Sequence, residues 1–177
     1  MAVWPNKRSY IVKIGKAFLA GVMGGVATTV LLAIVRGAGV PVNLEEVMGS
    51  MITGSLGPSA FSVGFILHLV LSGLIGLLYA AGFEYGTRRA DWLTGVAFSL
   101  VHTLLAGLFT IVLPLVHPLM PTQVPPPGPF MAGLGLTGVA VFILIHLVYG
   151  AIVGAMYGPI EEQLDDPLED PLYPRCD

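Results

Sequence analysis

Apolar stretches alternate with short polar ones along the chain, in four blocks. The apolar blocks occupy residues 17–35, 61–83, 92–116 and 131–157. Each block is long enough to cross a hydrocarbon core of ~30 Å as an α-helix that rises about 1.5 Å per residue. No Asp, Glu, Lys or Arg occurs from Trp92 to Ile160. The pattern predicts an all-α membrane protein with four transmembrane helices.

A shorter apolar periodicity lies between the first two blocks. Five apolar side chains recur at the spacing of one helix face: Leu44, Val47, Met48, Met51 and Ile52. Asn43 can cap the first turn, Glu46 stands at the capping-box position, and Gly54 can end the helix. We predict a short amphipathic helix over residues 44–53 that lies in the membrane interface. Covering a site beneath it is the functional alternative to simple interfacial packing.

The segments outside the helices differ in charge. Residues 1–16 are basic, residues 84–91 form a short loop, and residues 114–129 contain seven prolines and no charged residue. The proline-rich segment is expected to be an extended loop. Residues 159–177 form an acidic, proline-containing tail, a composition typical of a disordered or interacting segment.

Lysine and arginine fall almost entirely on one side of the four predicted helices. That side carries Lys7, Arg8, Lys13, Lys16, Arg88, Arg89 and Arg175. Arg36 alone falls on the other side. By the positive-inside rule both termini are cytoplasmic, so the 44–53 helix and the proline-rich loop lie on the outer side.

The composition agrees with a membrane protein and narrows the function. Hydrophobic residues make up 55% of the chain, charged residues 11%, and the net charge is -3. Soluble domains carry about 25% charged residues. This balance gives no indication of nucleic-acid binding. Cys176 is the single cysteine and excludes an internal disulfide. No nucleophile–base pair, phosphate-binding loop or carboxylate pair occurs, so we predict no catalytic residue and no enzyme activity.

One short motif occurs twice, on the second and fourth blocks. His-Leu-Val, five residues, Gly, two residues and Tyr begin at His68 and again at His146, an offset of 78. The first and third blocks match at an offset of 74, as Gly21 with Gly95. We therefore predict two tandem helix–loop–helix repeats, residues 17–83 and 92–158. Since each repeat has two spans, both have the same orientation and a pseudo-two-fold axis runs along the membrane normal.

Taken together, these features resemble a domain-of-unknown-function family of small bacterial four-helix membrane proteins. The resemblance covers roughly residues 18–158. It rests on the glycine-rich first block, the 44–53 helix, the repeated His-Leu-Val motif and the Gly95-Val96 pair. It implies a four-helix membrane fold and no particular activity.

The repeated motif places a histidine, small residues and a tyrosine on one face of each helix. The two faces carry His68, Ser72, Gly76 and Tyr79, and His146, Gly150, Gly154 and Tyr157. Gly21 and Gly25 form a GxxxG pair on the first block. We predict that these small residues permit close helix packing. Both tyrosines are expected near the cytoplasmic interface, and His102 is expected at the depth of the other two histidines.

The intramembrane histidines have three interpretations. A neutral histidine can join two helices through hydrogen bonds, and this structural role requires no cofactor. Alternatively, His68 and His146 ligate a b-type haem or another tetrapyrrole. A metal site that adds His102 has less support, because no Cys, Asp or Glu accompanies the histidines within the spans. His117 is expected to face water or headgroups. Glu84 and Glu161, at corresponding helix ends, are expected to be interface anchors.

The predicted function is that of a non-catalytic integral membrane subunit, an accessory part of a larger energy-converting complex in the bacterial plasma membrane. Its expected partners are the lipid bilayer and other membrane subunits, without a cofactor. The alternative is a haem-binding membrane protein. A third hypothesis is a small-molecule or lipid carrier, whose cavity would reach Ser72 and Thr103.

Overall fold

The structure is a computed structural model that describes residues 8–9, 12–160 and 163–164. The predictions for most of the basic N-terminus and for the acidic tail lie outside these residues. The described chain is helical, and four of its helices are long and apolar enough to cross a membrane. This confirms the predicted all-α fold class with four potential spans.

Five α-helices and two short helical turns follow one another along the chain. The α-helices are α1 (Ile14–Gly37), α2 (Leu44–Thr53), α3 (Pro58–Ala81), α4 (Trp92–Val116) and α5 (Gly135–Tyr157). A π-helical turn, Gly82–Thr87, continues α3, and a 3-10 turn, Pro129–Leu134, precedes α5. Two-residue strands β1 (Arg8–Ser9) and β2 (Gln163–Leu164) pair antiparallel and bring the two terminal segments together.

Polar side chains cap the first turns of α2 and α4. The Asn43 side chain accepts a hydrogen bond from the Glu46 amide at 3.3 Å, and Gly54 ends α2 with a left-handed φ of 66°. At the start of α4, the Asp91 carboxylate accepts from the Thr94 amide at 2.8 Å. This bond lowers the pKa of the Asp91 carboxyl below its usual value. Local polar residues therefore account for where α2 and α4 begin.

The fourth long helix begins later than the sequence predicts. The apolar pattern predicts a start at residue 131, whereas regular α-helix starts at Gly135. The reason is a pair of left-handed residues, Phe130 and Met131, with φ of 52° and 62°, which an α-helix does not accommodate. The Phe130 ring packs on Gly107 of α4, and its amide donates to Thr110 Oγ1 at 3.1 Å. These contacts hold the turn against α4.

The long helices pack in the spatial order α3, α1, α5, α4, and α2 lies on α3. Helix α1 contacts both α3 and α5, while α4 packs mainly on α5. Because the long helices alternate in direction, the α1–α3 and α4–α5 connections lie at the same end of the bundle. We call the end that carries α2 and the proline-rich loop the cap end, and the opposite end, with both chain termini, the terminal end.

Small residues bring the helix backbones together in both halves of the chain. A Cβ atom added to Gly21 would overlap the Ser72 carbonyl oxygen and crowd Gly76. A Cβ atom added to Gly95 would overlap the Gly150 carbonyl oxygen and crowd Gly154. These contacts fall at positions that the offsets of 74 and 78 relate to each other. Five of the six positions predicted for helix packing lie at such backbone contacts, namely Gly21, Ser72, Gly76, Gly150 and Gly154, and the sixth, Gly25, packs against the Ser72 side chain.

Candidate functional site

The bundle interior contains a cluster of rings at mid-length, which we call the histidine cluster: His102, His146, Tyr79 and Tyr149. The His102 and His146 rings meet edge to face, with centroids 4.7 Å apart and planes at 82°. His102 Nδ1 lies 3.3 Å from the Tyr79 hydroxyl. The structure thus pairs His146 with His102, a histidine that lies outside the repeated motif.

His68 makes a different contact. Its Nδ1 lies 3.0 Å from Thr29 Oγ1, which joins α3 to α1. His146 Nδ1 donates to the Phe142 carbonyl oxygen one turn earlier, at 2.6 Å. Among the described residues the Nε2 atoms of His68, His102 and His146 have no hydrogen-bond partner. Each of these histidines therefore uses one ring nitrogen structurally and leaves the other available.

The positions of His146 and His102 limit where a haem could be ligated. His146 Nδ1 is held by a carbonyl oxygen, so Nε2 is the nitrogen that a metal would use. The ring next to it is His102, in direct contact, which leaves no space for a macrocycle between those two rings. Ligation by His68 and His146 stays a prediction. Within the described residues, no group of three or more His, Cys, Asp or Glu side chains is placed to hold a metal ion.

Tyr149 is a member of the histidine cluster that sequence reasoning missed. Its hydroxyl donates to the Ser72 carbonyl oxygen at 2.5 Å, and its ring lies against Gly24. The position related to it by the offset of 78 is Leu71, so the predicted repeat gives no indication of a tyrosine there. A glycine on α1 that admits the ring is recognisable only once α1 and α5 are known to be neighbours.

The two motif tyrosines are buried in the bundle and do not form an exposed interfacial belt. Tyr79 is 4% exposed and Tyr157 is fully buried. Tyr157 donates to Glu84 Oε1 at 2.5 Å and accepts from the Lys13 amide at 3.1 Å. Glu84 itself is 1% exposed, so it is buried in the protein and is not the interface anchor that its position at a helix end predicts. The π-helical turn that follows α3 directs this carboxylate towards α5.

A second polar cluster holds the cap end together. His117 was expected to face water or headgroups, but it is only 3% exposed. Its Nδ1 accepts from the Leu119 amide at 3.2 Å, and its Nε2 lies 3.0 Å from the Val47 carbonyl oxygen and 3.2 Å from Ser50 Oγ. The reason is the path of the proline-rich loop, which turns back over α2 and buries three apolar side chains: Leu119, Met120 and Val124.

Helix α2 turns a polar and small-residue face towards the protein. Gly49 packs on the Ala60 carbonyl of α3, and Gly64 of α3 packs on the Glu45 carbonyl. Glu45 is fully buried, whereas Met51 and Ile52 in the last turn of α2 are exposed. The apolar side chains that define the predicted interfacial helix therefore point partly away from the protein, whereas the Glu45 side chain points into it.

An open groove separates α3 from α4. It encloses about 310 Å³ and is lined by Ile75, Leu78, Tyr79, Phe98, Val101, His102 and Leu105. Two of these side chains belong to the histidine cluster and form the only polar part of the wall. The groove is therefore where the histidine cluster reaches the outer surface of the bundle. Neither Ser72 nor Thr103, which a carrier cavity was expected to reach, lines it.

Comparison with models of protein families, with curated proteins and with solved structures gave no match. The predicted family resemblance therefore stays a prediction, and the functional argument rests on the geometry above.

Proposed function

We propose that this protein is a non-catalytic integral membrane subunit that docks a transmembrane helix of a partner protein in the groove between α3 and α4. It crosses the bacterial plasma membrane four times, with both termini in the cytoplasm, and it is an accessory part of a larger energy-converting complex. The observation that carries the docking site is the presence of His102 and Tyr79 in the wall of an otherwise apolar, outward-open groove.

The energetic reason is the cost of polar groups next to hydrocarbon. An imidazole with an unused Nε2 loses hydrogen bonds when lipid covers it. A partner helix that brings a hydroxyl, amide or carboxyl group into the groove would supply the missing bond. Interhelical hydrogen bonds of this kind contribute about 0.6–2 kcal/mol each in membranes.

The exposure of α4 supports the same proposal. Its buried residues form one narrow stripe of small side chains: Gly95, Ser99, Thr103 and Gly107. The remainder of the helix is apolar and mostly exposed, which suits either lipid or a second protein surface.

The predicted tandem repeat explains why the groove exists. The predicted repeat relates α1 to α4 and α5 to α3. The tight α1–α5 contact would therefore have an α4–α3 contact as its counterpart. In the first contact Gly24 admits the Tyr149 ring, whereas the related position on α4 is Phe98. The bulkier side chain packs against Gly82 and keeps the two helices apart. One helix–helix surface is therefore left available to another chain.

A groove-filling substitution tests this proposal. Leu105 lines the groove and is 61% exposed, and Leu100 is 60% exposed but lies outside the groove. We expect the wild-type protein, solubilised from its native membrane in mild detergent, to migrate in native electrophoresis as a complex larger than the monomer. Leu105→Trp should release the monomer and Leu100→Trp should not. A photo-crosslinking residue at Val101 should mark the partner, whereas one at Leu100 should mark little protein.

Two outcomes would contradict the docking proposal. The first is a wild-type protein that is monomeric in its native membrane. The second is a complex that survives Leu105→Trp, His102→Leu and their combination unchanged. The haem alternative is tested separately by the absorption spectrum: a Soret band that is lost in His68→Leu or His146→Leu would support it.

A further inference from the structure

The connection between α3 and α4 carries two adjacent arginines at the terminal end of the bundle. Arg88 and Arg89 are both exposed. An exposed aromatic side chain lies on either side of them along the chain, Tyr85 in the π-helical turn and Trp92 at the start of α4. We call these four residues the arginine loop. Arginine together with tyrosine and tryptophan is the composition typical of a membrane–water interface.

Contacts with the rest of the protein hold the backbone of the arginine loop in place. The Thr87 hydroxyl donates to the Arg89 carbonyl oxygen at 3.0 Å. Ala90 packs against the buried cluster that contains Phe83, and Asp91 then caps α4. Because the backbone is fixed on both sides of the arginines, a ligand that binds the guanidinium groups does not have to order the loop first.

The acidic side chains that the structure describes at this end leave positive charge in excess. Glu84 is buried and is bonded to the Tyr157 hydroxyl. Asp91 accepts from the Thr94 amide, and it is the carboxylate on which the Arg89 charge acts. One carboxylate therefore stands beside two exposed guanidinium groups, and a ligand with a single negative charge would balance the remaining cation.

From these observations we propose that the arginine loop binds the phosphate group of an anionic phospholipid. Guanidinium groups donate paired hydrogen bonds to phosphate oxygens, and aromatic rings lie at the level of the headgroups. The acyl chains extend along one apolar face of α4, where Leu93, Leu100 and Leu104 are exposed at helical spacing. This face lies outside the α3–α4 groove, so the lipid and a partner helix occupy different surfaces.

The position of the arginine loop favours a lipid over a soluble anion. The loop joins two helices that are long and apolar enough to cross a membrane. A phospholipid headgroup already lies at this depth, whereas a soluble anion has to be drawn from water. By the predicted topology this end faces the cytoplasm, where anionic lipids give the membrane a negative surface potential.

The cap end offers no comparable site among its described residues. Arg36 is the one Lys or Arg described there. Its guanidinium donates to the Val42 carbonyl oxygen at 3.1 Å and lies 3.8 Å from the Glu45 carboxylate. The protein itself thus surrounds this cation, whereas the two arginines of the arginine loop are exposed.

Quenching of Trp92 fluorescence by brominated lipids tests the proposal at the site itself. The chain contains two tryptophans, so Trp4→Phe leaves Trp92 as the fluorophore. We would reconstitute this full-length variant into phosphatidylcholine vesicles that contain increasing amounts of brominated phosphatidylglycerol or of brominated phosphatidylcholine. The two quenching curves give the relative binding constant of the anionic lipid next to Trp92. We expect phosphatidylglycerol to be preferred about fivefold or more, since one juxtamembrane Lys or Arg contributes about that factor.

Variants in the same Trp4→Phe background distinguish a bound phosphate from general surface charge. Arg88→Gln and Arg89→Gln should each lower the preference for phosphatidylglycerol, and the double variant should abolish it. Lys16→Gln is the matched control, because it removes the same charge from an exposed position at the same end. Lys16 belongs to α1, whereas α4 packs mainly on α5, so Lys16→Gln should leave the preference unchanged.

Equal quenching by the two brominated lipids would overturn the proposal, and the acidic segment 161–177 or water would then be what neutralises the arginines. A preference that persists in the double variant, or that Lys16→Gln lowers as much, would also overturn it. Displacement of the lipid by inorganic phosphate at constant ionic strength would assign the site to a soluble anion instead. The purified protein is tested without a partner in the groove, so this proposal and the proposed function fail separately.

Discussion

The contact between Gly25 and Ser72 offers a quantitative test of how tightly α1 and α3 pack. A Cβ atom at position 25 would lie 2.6 Å from Ser72 Oγ and 2.7 Å from Ser72 Cβ, and 3.4 Å from the Leu69 side chain. The first two separations are about 1 Å shorter than the distance at which such atoms attract each other. Gly25→Ala should therefore push the helices apart, and overpacking of this kind costs about 1–3 kcal/mol.

The second substitution removes the obstacle. Because both short contacts are with the Ser72 side chain, Ser72→Gly should make Gly25→Ala neutral or favourable. The Tyr149 bond survives, since it is made to the Ser72 carbonyl oxygen. The double-mutant cycle should give a coupling of about 1–3 kcal/mol.

The other half of the chain contains the reversed pair, Ser99 and Gly150, and predicts a different result. A Cβ atom at Gly150 would lie 2.6 Å from Ser99 Cβ, but it would also overlap the Gly95 carbonyl oxygen. Ser99→Gly relieves only the first contact, so it should not rescue Gly150→Ala. Gly15→Ala is the control, because nothing lies within 4 Å of its added Cβ.

The assay is reversible unfolding of the full chain in detergent, monitored by circular dichroism for all single and double variants. The reasoning is refuted if Gly25→Ala is as stable as Gly15→Ala, or if Ser72→Gly fails to rescue it. It is also refuted if Ser99→Gly restores the stability of Gly150→Ala as fully as Ser72→Gly restores that of Gly25→Ala, since the backbone overlap at Gly150 would then be unimportant.

Two further predictions concern the buried polar contacts at the two ends of the bundle. His117→Phe should leave the backbone partners of His117 unpaired, destabilise the protein by about 1–3 kcal/mol and speed amide exchange in the proline-rich loop. His117→Gln can still form hydrogen bonds and should retain part of the stability. Equal amide exchange in both variants would show that the His117 ring only fills space. Tyr157→Phe should cost about 1.5–3 kcal/mol in thermal unfolding, because it removes the hydrogen bond to the buried Glu84 carboxylate. Tyr85→Phe, at a side chain that is 65% exposed, should change stability little, and an equal loss in both variants would contradict this account.

Local features of the sequence determined which residues form helices. Apolar length predicts the four potential spans, and these are present. The periodicity and caps of residues 44–53 predict a helix with the bounds that α2 has, because an N-cap and a left-handed glycine act within a few residues of their own position. The residues at which helices pack closely can also be predicted from the sequence, since small residues at helical spacing indicate the face along which two backbones meet.

Only the tertiary structure decided which polar groups meet. The motif paired His68 with His146, but the contact of His146 is with His102, because α4 packs beside α5 and the neighbours of a helix are not set by its own residues. His117, Glu84 and Glu45 are charged or polar side chains near predicted helix ends, where sequence favours exposure, yet all three are buried. Their burial depends on a loop, a π-helical turn and a short helix that fold back over the bundle. Such paths are determined by long-range packing, whereas helix formation depends on residues three and four apart.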